Sequence, residues 1–278
     1  MDRSNLLRMA LSIACFTLLC VLAVDQSQAA VTVSPGNMGD WAFQTTVGDP
    51  IPTADAIANF VEGPDSPPLG SGSAHFNTGT NGSQSAAIRS SAYDGFGLSG
   101  LTALSYDTYA TSWNGQQVPF LSINIDSDNN GFADDLLFFE PAYQTPATGN
   151  DELPDQGSPL LNGWQSWNAF TGGWWANSGY FTPGTGVGSL ADYILAFPSA
   201  VIRNDGVGAV RLGAGFGSDS DVFDSYVDAF TIGTGEIGTT FDFEAAADVP
   251  EPASLIVWSL LGLTITGGGW WRRRKVSA

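Results

Sequence analysis

Lysine is almost missing from this chain: its single copy is Lys275, and arginine is nearly as scarce. Arg3 and Arg8 stand near the N-terminus and Arg272, Arg273 and Arg274 near the C-terminus, so only Arg89, Arg203 and Arg211 serve everything between. From residue 30 to 271 those three arginines face 26 acidic side chains, a net charge of −23. Such a body repels phosphate backbones, and nucleic acid is excluded as a partner. Cysteine is equally restricted, because Cys15 and Cys20 both lie in the N-terminal apolar run. Once that run is removed no thiol is left, and disulfides, thiolate catalysis and cysteine-based zinc sites go with it. The one histidine, His75, has no nucleophile motif beside it. Gly-x-Ser-x-Gly, His-Glu-x-x-His and phosphate-cradling loops are absent, so acyl transfer and metallohydrolase chemistry lack their parts. What the chain does have is apolar material: 43% of its 278 residues are hydrophobic and 12% aromatic, with 34 glycines and 15 prolines. That is enough for a real core in one large β-domain or two small domains.

Both ends read as addresses. Arg3 and Arg8, the apolar stretch Met9 to Val24 and the small-x-small sequence Ser27-Gln28-Ala29 have the layout of a secretory signal peptide covering residues 1–29. At the other end an uncharged stretch runs from Ala253 to Trp271 and is followed by Arg272, Arg273, Arg274 and Lys275. At about 1.5 Å per residue it makes a helix of roughly 28 Å, close to the hydrocarbon thickness of a bilayer. The basic cluster would stay cytoplasmic and act as a stop, which places the body on the far side of the membrane. Pro250, Glu251 and Pro252 immediately precede this segment, and their prolines would hold the chain extended and stop the helix.

The triplet, apolar helix and basic end of residues 249–278 resemble the PEP-CTERM sorting signal of exported proteins in exopolysaccharide-producing Gram-negative bacteria. The resemblance implies an exosortase-type processing enzyme as partner, transient anchoring in the inner membrane, cleavage near the triplet, and delivery to the cell surface or extracellular matrix. It covers about 30 residues and says nothing of the body.

Residues 30–248 alternate short apolar segments with Gly, Pro, Asn and Asp, a pattern of strands. Strands are expected over 41–47, 84–90, 101–111, 118–125, 136–140, 163–170, 209–213, 225–232 and 239–244. In Leu121, Ile123 and Ile125 the apolar residues recur at every second position, as in a half-buried strand, with Ser122 and Asn124 outward. One short helix is expected from Leu190 to Phe197, with Ser189 as N-cap and Pro198 as stop. The segment from Gly63 to Gly82 reads as a long surface loop. The expected fold is mainly β, a single β-sandwich of jelly-roll or lectin-like type with one short helix. The succession of Tyr106-Asp-Thr-Tyr109, Ile125 to Gly131, Phe139-Glu-Pro141, Trp164-Gln-Ser-Trp167, Val210 to Gly215, Tyr226 to Ile232 and Phe241 to Glu244 also resembles a lectin-like β-rich module of bacterial surface proteins, one without a settled role.

The sharpest local motif is Asp126-Ser-Asp128-Asn-Asn130-Gly131-Phe132-Ala-Asp134-Asp135. Asp126, Asp128, Asn130 and Asp134 occupy positions 1, 3, 5 and 9, Gly131 position 6 and the Phe132 carbonyl position 7, with Asp135 adjoining, as a hard cation such as Ca²⁺ requires. Position 12 is Leu137, where such loops usually supply a bidentate carboxylate. The same residues also read as a plain hairpin turning at Asn130-Gly131. Trp164, Trp167, Trp174 and Trp175 form the densest aromatic stretch and offer a carbohydrate platform, or else fill the core. A spacing of three places Trp164 and Trp167 on opposite faces of a strand. A second acidic group, Asp219, Asp221, Asp224 and Asp228, offers a further cation or hydroxyl site, or a solvated loop. Glycoside hydrolysis needs only two suitably spaced carboxylates, for which Glu140, Asp228 and Glu244 are candidates, but no spacing singles out a pair. The sequence therefore points to a non-enzymatic exported surface or matrix protein with polysaccharide as partner, and a secreted glycan-active hydrolase as the alternative.

Overall fold

The computed structural model describes residues 29–45, 55–206, 208–235 and 237–245. The signal segment up to residue 28, the Pro250-Glu251-Pro252 triplet, the apolar stretch after it and the basic cluster 272–275 lie outside the described residues. No helix among the described residues is long and apolar enough to cross a membrane.

Among the described residues fifteen strands and one α-helix follow in chain order: β1 (Val31–Val33), β2 (Trp41–Thr45), β3 (Ile57–Glu62), β4 (Gly72–Asn77), β5 (Ser85–Ser90), β6 (Leu101–Ser112), β7 (Phe120–Asp126), β8 (Asp135–Phe139), β9 (Gln165–Asn168), β10 (Gly173–Ala176), β11 (Gly188–Ser189), α1 (Leu190–Ala196), β12 (Val201–Ile202), β13 (Val210–Gly215), β14 (Asp224–Thr234) and β15 (Ile237–Phe243). They form two sheets packed face to face. In the seven-stranded sheet β14 is central, flanked by β6 and β9 on one side and by β15 with β1 and β4 with β3 on the other. The eight-stranded sheet runs β11-β10-β8-β7-β13-β5-β2, with β12 also against β7. All pairings are antiparallel except β1 with β15.

The core between the sheets follows from the period-two pattern. Leu121, Ile123 and Ile125 of β7, Leu137 and Phe139 of β8, Val210 and Leu212 of β13, and Ile88 of β5 point inward and meet Phe76, Val227 and Phe230 of the other sheet. At one end Trp41 makes edge contacts with Phe230, Phe241 and Phe243, ring centres 5.2–5.6 Å apart. These are favoured aromatic geometries. Helix α1 forms where its sequence indicates: the Ser189 hydroxyl accepts from the Asp192 amide at 3.0 Å, and the helix ends at Ala196 with Phe197 as C-cap.

Two expectations need correction. The segment 63–82 is not one long loop, because β4 runs through it and buries Ala74 and Phe76. Its small residues masked a strand whose inward positions are only two. The outward positions of β7 are not solvated either: Ser122 and Asn124 are buried, Asn124 donating to the Arg203 carbonyl at 3.0 Å and Ser122 accepting from Arg211. A central strand with side chains packed over its outer face has no wet side.

Candidate functional site

Because successive residues of a strand face opposite ways, the residues between the core positions of the eight-stranded sheet share its outward face. Register brings five of them into one row: Trp175 (β10), Phe138 (β8), Ser122 (β7), Arg211 (β13) and Arg89 (β5). Over Trp175, Phe138 and Arg211 of this row a cleft of about 320 Å³ opens, lined also by Phe120, Glu140 and Phe216, while Arg89 lines a neighbouring pocket with Asp40, Trp41 and Ser91. That is the lower end of the size range for small-ligand sites, and its mix of aromatic walls with a few polar groups is typical of them.

The aromatic rings are interlocked. Trp175 stacks on Phe138 with centroids 4.2 Å apart and planes 10° from parallel, and Phe120 meets Phe138 at 5.6 Å. The Arg211 guanidinium lies over Phe120 at 5.2 Å and Phe216 at 5.5 Å. Phe216 is 45% exposed at the lip and holds φ +61°. A bulky residue in the left-handed region costs on the order of 1–3 kcal/mol, and such strain gathers at functional sites.

Three polar side chains in this cleft each carry an atom that the protein leaves unpaired. Arg211 is only 3% exposed, yet its sole hydrogen bond runs from Nε to Ser122 Oγ at 3.3 Å, and Nη1 has no partner. Burial lowers its pKa to about 10. Glu140 Oε2 and Trp175 Nε1 are likewise buried without a partner. Burial pushes the Glu140 carboxyl up to about 7; the nearby Trp175 indole N–H pulls it back only in part and does not reach hydrogen-bond geometry. Buried polar atoms left unpaired each cost about 1–3 kcal/mol, so three around one cleft call for an explanation. A polar ligand supplying hydroxyls or carboxylates provides one.

The tryptophan platform is dispersed. Trp167 (1% exposed) and Trp174 (0%) are core residues whose indole N–H groups donate to Thr108 Oγ1 and the Ala169 carbonyl, each at 2.8 Å. Trp164 is partly exposed on the other sheet, donates to the Pro64 carbonyl at 3.0 Å and packs on Tyr109. Trp175 alone of the four lines the cleft. Packing claimed Trp167 and Trp174 because the two sheets need large inward side chains where they meet, and Trp164 packs on the other outward face.

The Asp126–Asp135 loop joins β7 to β8, so the hairpin exists, but its turn is a longer loop and not a two-residue Asn130-Gly131 turn. One oxygen each of Asp126, Asp128 and Asp134 lies within 4.8 Å of the others, close enough to share a cation. Asp126 accepts from the amides of Asn130 (2.9 Å) and Gly131 (2.7 Å) and from Arg203 Nη2 (2.7 Å). Burial alone would raise its carboxyl, but these donors outweigh it and hold it below the usual carboxylate range. Asn130 is turned back on the Phe132 amide, and the Phe132 side chain is 77% exposed. Asp135 leaves the expected set: it accepts from the Ser178 amide and hydroxyl and from the Tyr193 hydroxyl (2.9, 2.7 and 2.8 Å), tying α1 to β8.

On the outward face of the seven-stranded sheet the charged side chains pair with one another or with backbone amides, although Ser73 Oγ is buried without a partner. His75 Nε2 meets Asp224 Oδ1 at 2.6 Å and Thr111 donates to Asp224 Oδ2 at 2.7 Å. Asp228 accepts from the amides of Leu69 (2.9 Å) and Phe243 (3.1 Å), and Glu244 from the Ser71 amide (2.7 Å). Burial pushes the Asp228 carboxyl up to about 7 despite those bonds. Asp221 accepts from the Ser218 amide at 2.8 Å, and Asp219 is exposed. The acidic run is therefore divided among local duties. A wider groove of about 470 Å³ beside β9 is lined by Trp167, Ser166 and Gln156, whose polar groups are already bonded within the protein.

No protein-family model and no curated protein matches the chain. Among solved structures it is similar to the family 11 carbohydrate-binding module of the cellulosomal cellulase Lic26A-Cel5E of Clostridium thermocellum, at 12% identity over 81% of this chain and 96% of that one, with a TM-score of 0.36. It is also similar to the family 11 carbohydrate-binding module from Clostridium thermocellum in complex with a β-1,3-1,4-mixed-linked tetrasaccharide, at 10% identity over 80% and 96%, with a TM-score of 0.34. Likeness this loose assigns neither family nor ligand.

Proposed function

We propose that this chain is a non-catalytic, lectin-like carbohydrate-binding protein of the cell surface or extracellular matrix, and that it binds its glycan on the outward face of the eight-stranded sheet. The observation that carries the reading is the cleft in which Arg211 Nη1, Glu140 Oε2 and Trp175 Nε1 lack partners among the rings of Phe120, Phe138 and Phe216. Sugars offer hydroxyls to the first set and C–H faces to the second. Glu140 is the one carboxylate lining the cleft, whereas glycoside hydrolysis uses two flanking the scissile bond. The hydrolase alternative rests on the Glu140 carboxyl near pH 7, a value suited to a general acid.

A glycan array with the full-length chain tests the reading. Binding of at least one polysaccharide class, lost in Trp175→Ala and without release of shorter products, supports it; product release abolished by Glu140→Gln would favour the hydrolase. Calcium is proposed at Asp126, Asp128 and Asp134, since their oxygens converge. If it binds, saturating calcium stabilises the fold by about 3 kcal/mol at a hundredfold excess over Kd, and a chelator lowers the melting temperature; an unchanged melting temperature rejects the site. Export and sorting follow from the sequence resemblance alone, and their test is the position and length of the native chain in fractionated cells.

A further inference from the structure

We infer that the preferred ligand of the cleft is a carboxylated saccharide, a hexuronate-containing oligosaccharide, held by Arg211, with the charge of Arg89 beside it on the same face of the sheet. The inference rests on the glycan-binding reading and adds the charge of the sugar. Its first ground is the pairing of the arginines. Arg211 and Arg89 are direct cross-strand partners on β13 and β5 and share the outward face. Like charges directly opposite are destabilising in a sheet, and a chain this acidic has carboxylates to spare. Yet among the described residues the only ion pairs are His75–Asp224, Arg203–Asp94 and Arg203–Asp126. Arg203 takes two carboxylates while Arg211 and Arg89 take none.

The second ground is independent of the first. Arg211 Nη1 and Arg89 Nε are buried atoms without hydrogen-bond partners, and Arg211 is drawn over Phe120 and Phe216 so that its guanidinium borders the cleft. A buried guanidinium is expensive unless paired, and a planar carboxylate is the group that pairs with it in two parallel bonds. The row then reads as two subsites. The partly exposed Trp175 offers a surface for a ring, and Arg211, three strands along at about 4.8 Å per strand, offers the carboxylate anchor roughly 14 Å away, within one oligosaccharide's reach. Glu140 borders the same cleft, and burial raises its carboxyl to about 7, so below that pH it is mostly neutral and can donate to a sugar hydroxyl.

The test is a calorimetric titration of the full-length chain with oligogalacturonate and oligoglucuronate, each against its carboxyl-reduced neutral counterpart, in chelator. The charged form of one pair should bind about tenfold or more tightly than its neutral form, as charge-assisted hydrogen bonds imply, and the margin should shrink with added salt. Arg211→Met should erase the margin, so that charged and neutral oligomers bind alike whatever affinity for the neutral form remains. Arg89→Met, at a less buried position, should reduce the margin with the far-ultraviolet spectrum unchanged, so the result does not hang on Arg211→Met folding. Equal binding of charged and neutral forms overturns the inference and leaves glycan binding intact. A preference surviving both variants, or present only with calcium, also overturns it. Failure of these and all other glycans to bind overturns the glycan reading itself.

Discussion

The two outward faces of the sandwich are built from similar side chains and differ in what those side chains bond to. On the seven-stranded sheet His75, Tyr226, Tyr109 and Trp164 form a chain of ring contacts, 4.6 Å between His75 and Tyr226 and 5.6 Å between Tyr109 and Trp164. Its carboxylates accept from backbone amides, hydroxyls or the histidine. On the eight-stranded sheet an equally aromatic face leaves an arginine, a glutamate and an indole with unpaired atoms. What distinguishes this face is that unpaired charged and indole groups gather around one cleft, whereas the unpaired atoms elsewhere, such as Ser73 and Ser225 Oγ, are scattered serine hydroxyls and single side-chain atoms. The first face spends its polar groups on holding loops to the sheet, as Asp228 holds residue 69 and Glu244 residue 71.

The comparison breaks most sharply with paired tryptophan variants. Trp175→Ala should lower glycan affinity by more than about tenfold, since centrally placed aromatic anchors dominate binding, and cost about 1 kcal/mol of stability for the lost stack on Phe138. Trp164→Ala should leave affinity unchanged and cost about 2 kcal/mol in denaturant unfolding, because it removes packing on Tyr109 and a hydrogen bond. The reverse pattern would move the binding site to the other sheet.

The pH dependence of stability comes next in size. Asp228 and Glu140 titrate near 7 when folded, against about 4 when unfolded, so the folded state favours their protonated forms. Their contribution is fully present below pH about 4 and is lost as pH rises toward 7, a fall on the order of 3 kcal/mol for each buried group. Asp126 acts in the opposite sense, and its contribution is lost as pH falls through its depressed value. Urea unfolding should therefore show greatest stability at mildly acidic pH and a decline toward pH 7.5. A maximum near pH 7.5 would contradict the burial assigned to these carboxyls.

The two halves of the 126–135 loop make a smaller contrast. Asp135→Asn should cost about 2 kcal/mol by disturbing the network to Ser178 and Tyr193, and any stabilisation by calcium should persist. Asp128→Asn should change stability little without calcium and abolish the response to it. Thermal unfolding with and without chelator distinguishes them. The smallest effect belongs to Phe216→Gly. Relief of the positive φ should stabilise the fold by about 1 kcal/mol while weakening glycan binding through loss of the cleft's lip.

Much of the sandwich was legible where period two was strong. β7 and β13 were visible from alternating apolar residues, and α1 from Ser189 and Pro198. β4 was hidden because Gly72, Ser73 and Ala74 carry little apolar bulk and are buried by the strands beside them. β10 is not among the strands expected from the sequence: Trp174 and Trp175 read as a carbohydrate platform or core packing, although one tryptophan of any adjacent pair in a strand must face each way. Trp174 took the core and Trp175 the cleft. The row joining Trp175 to Arg211 lies between residues far apart in the chain, and only register creates it. A signal for Arg211 was nonetheless present: it is one of three arginines in the body and stands between two core residues, Val210 and Leu212.

The most direct test of the binding face is a crystal structure of the chain with a hexuronate oligosaccharide that it binds. The account predicts a sugar ring against Trp175 and a carboxylate within hydrogen-bond distance of the Arg211 guanidinium. A saccharide seated over Tyr226 and Trp164, with the Arg211 cleft unaltered, would contradict it.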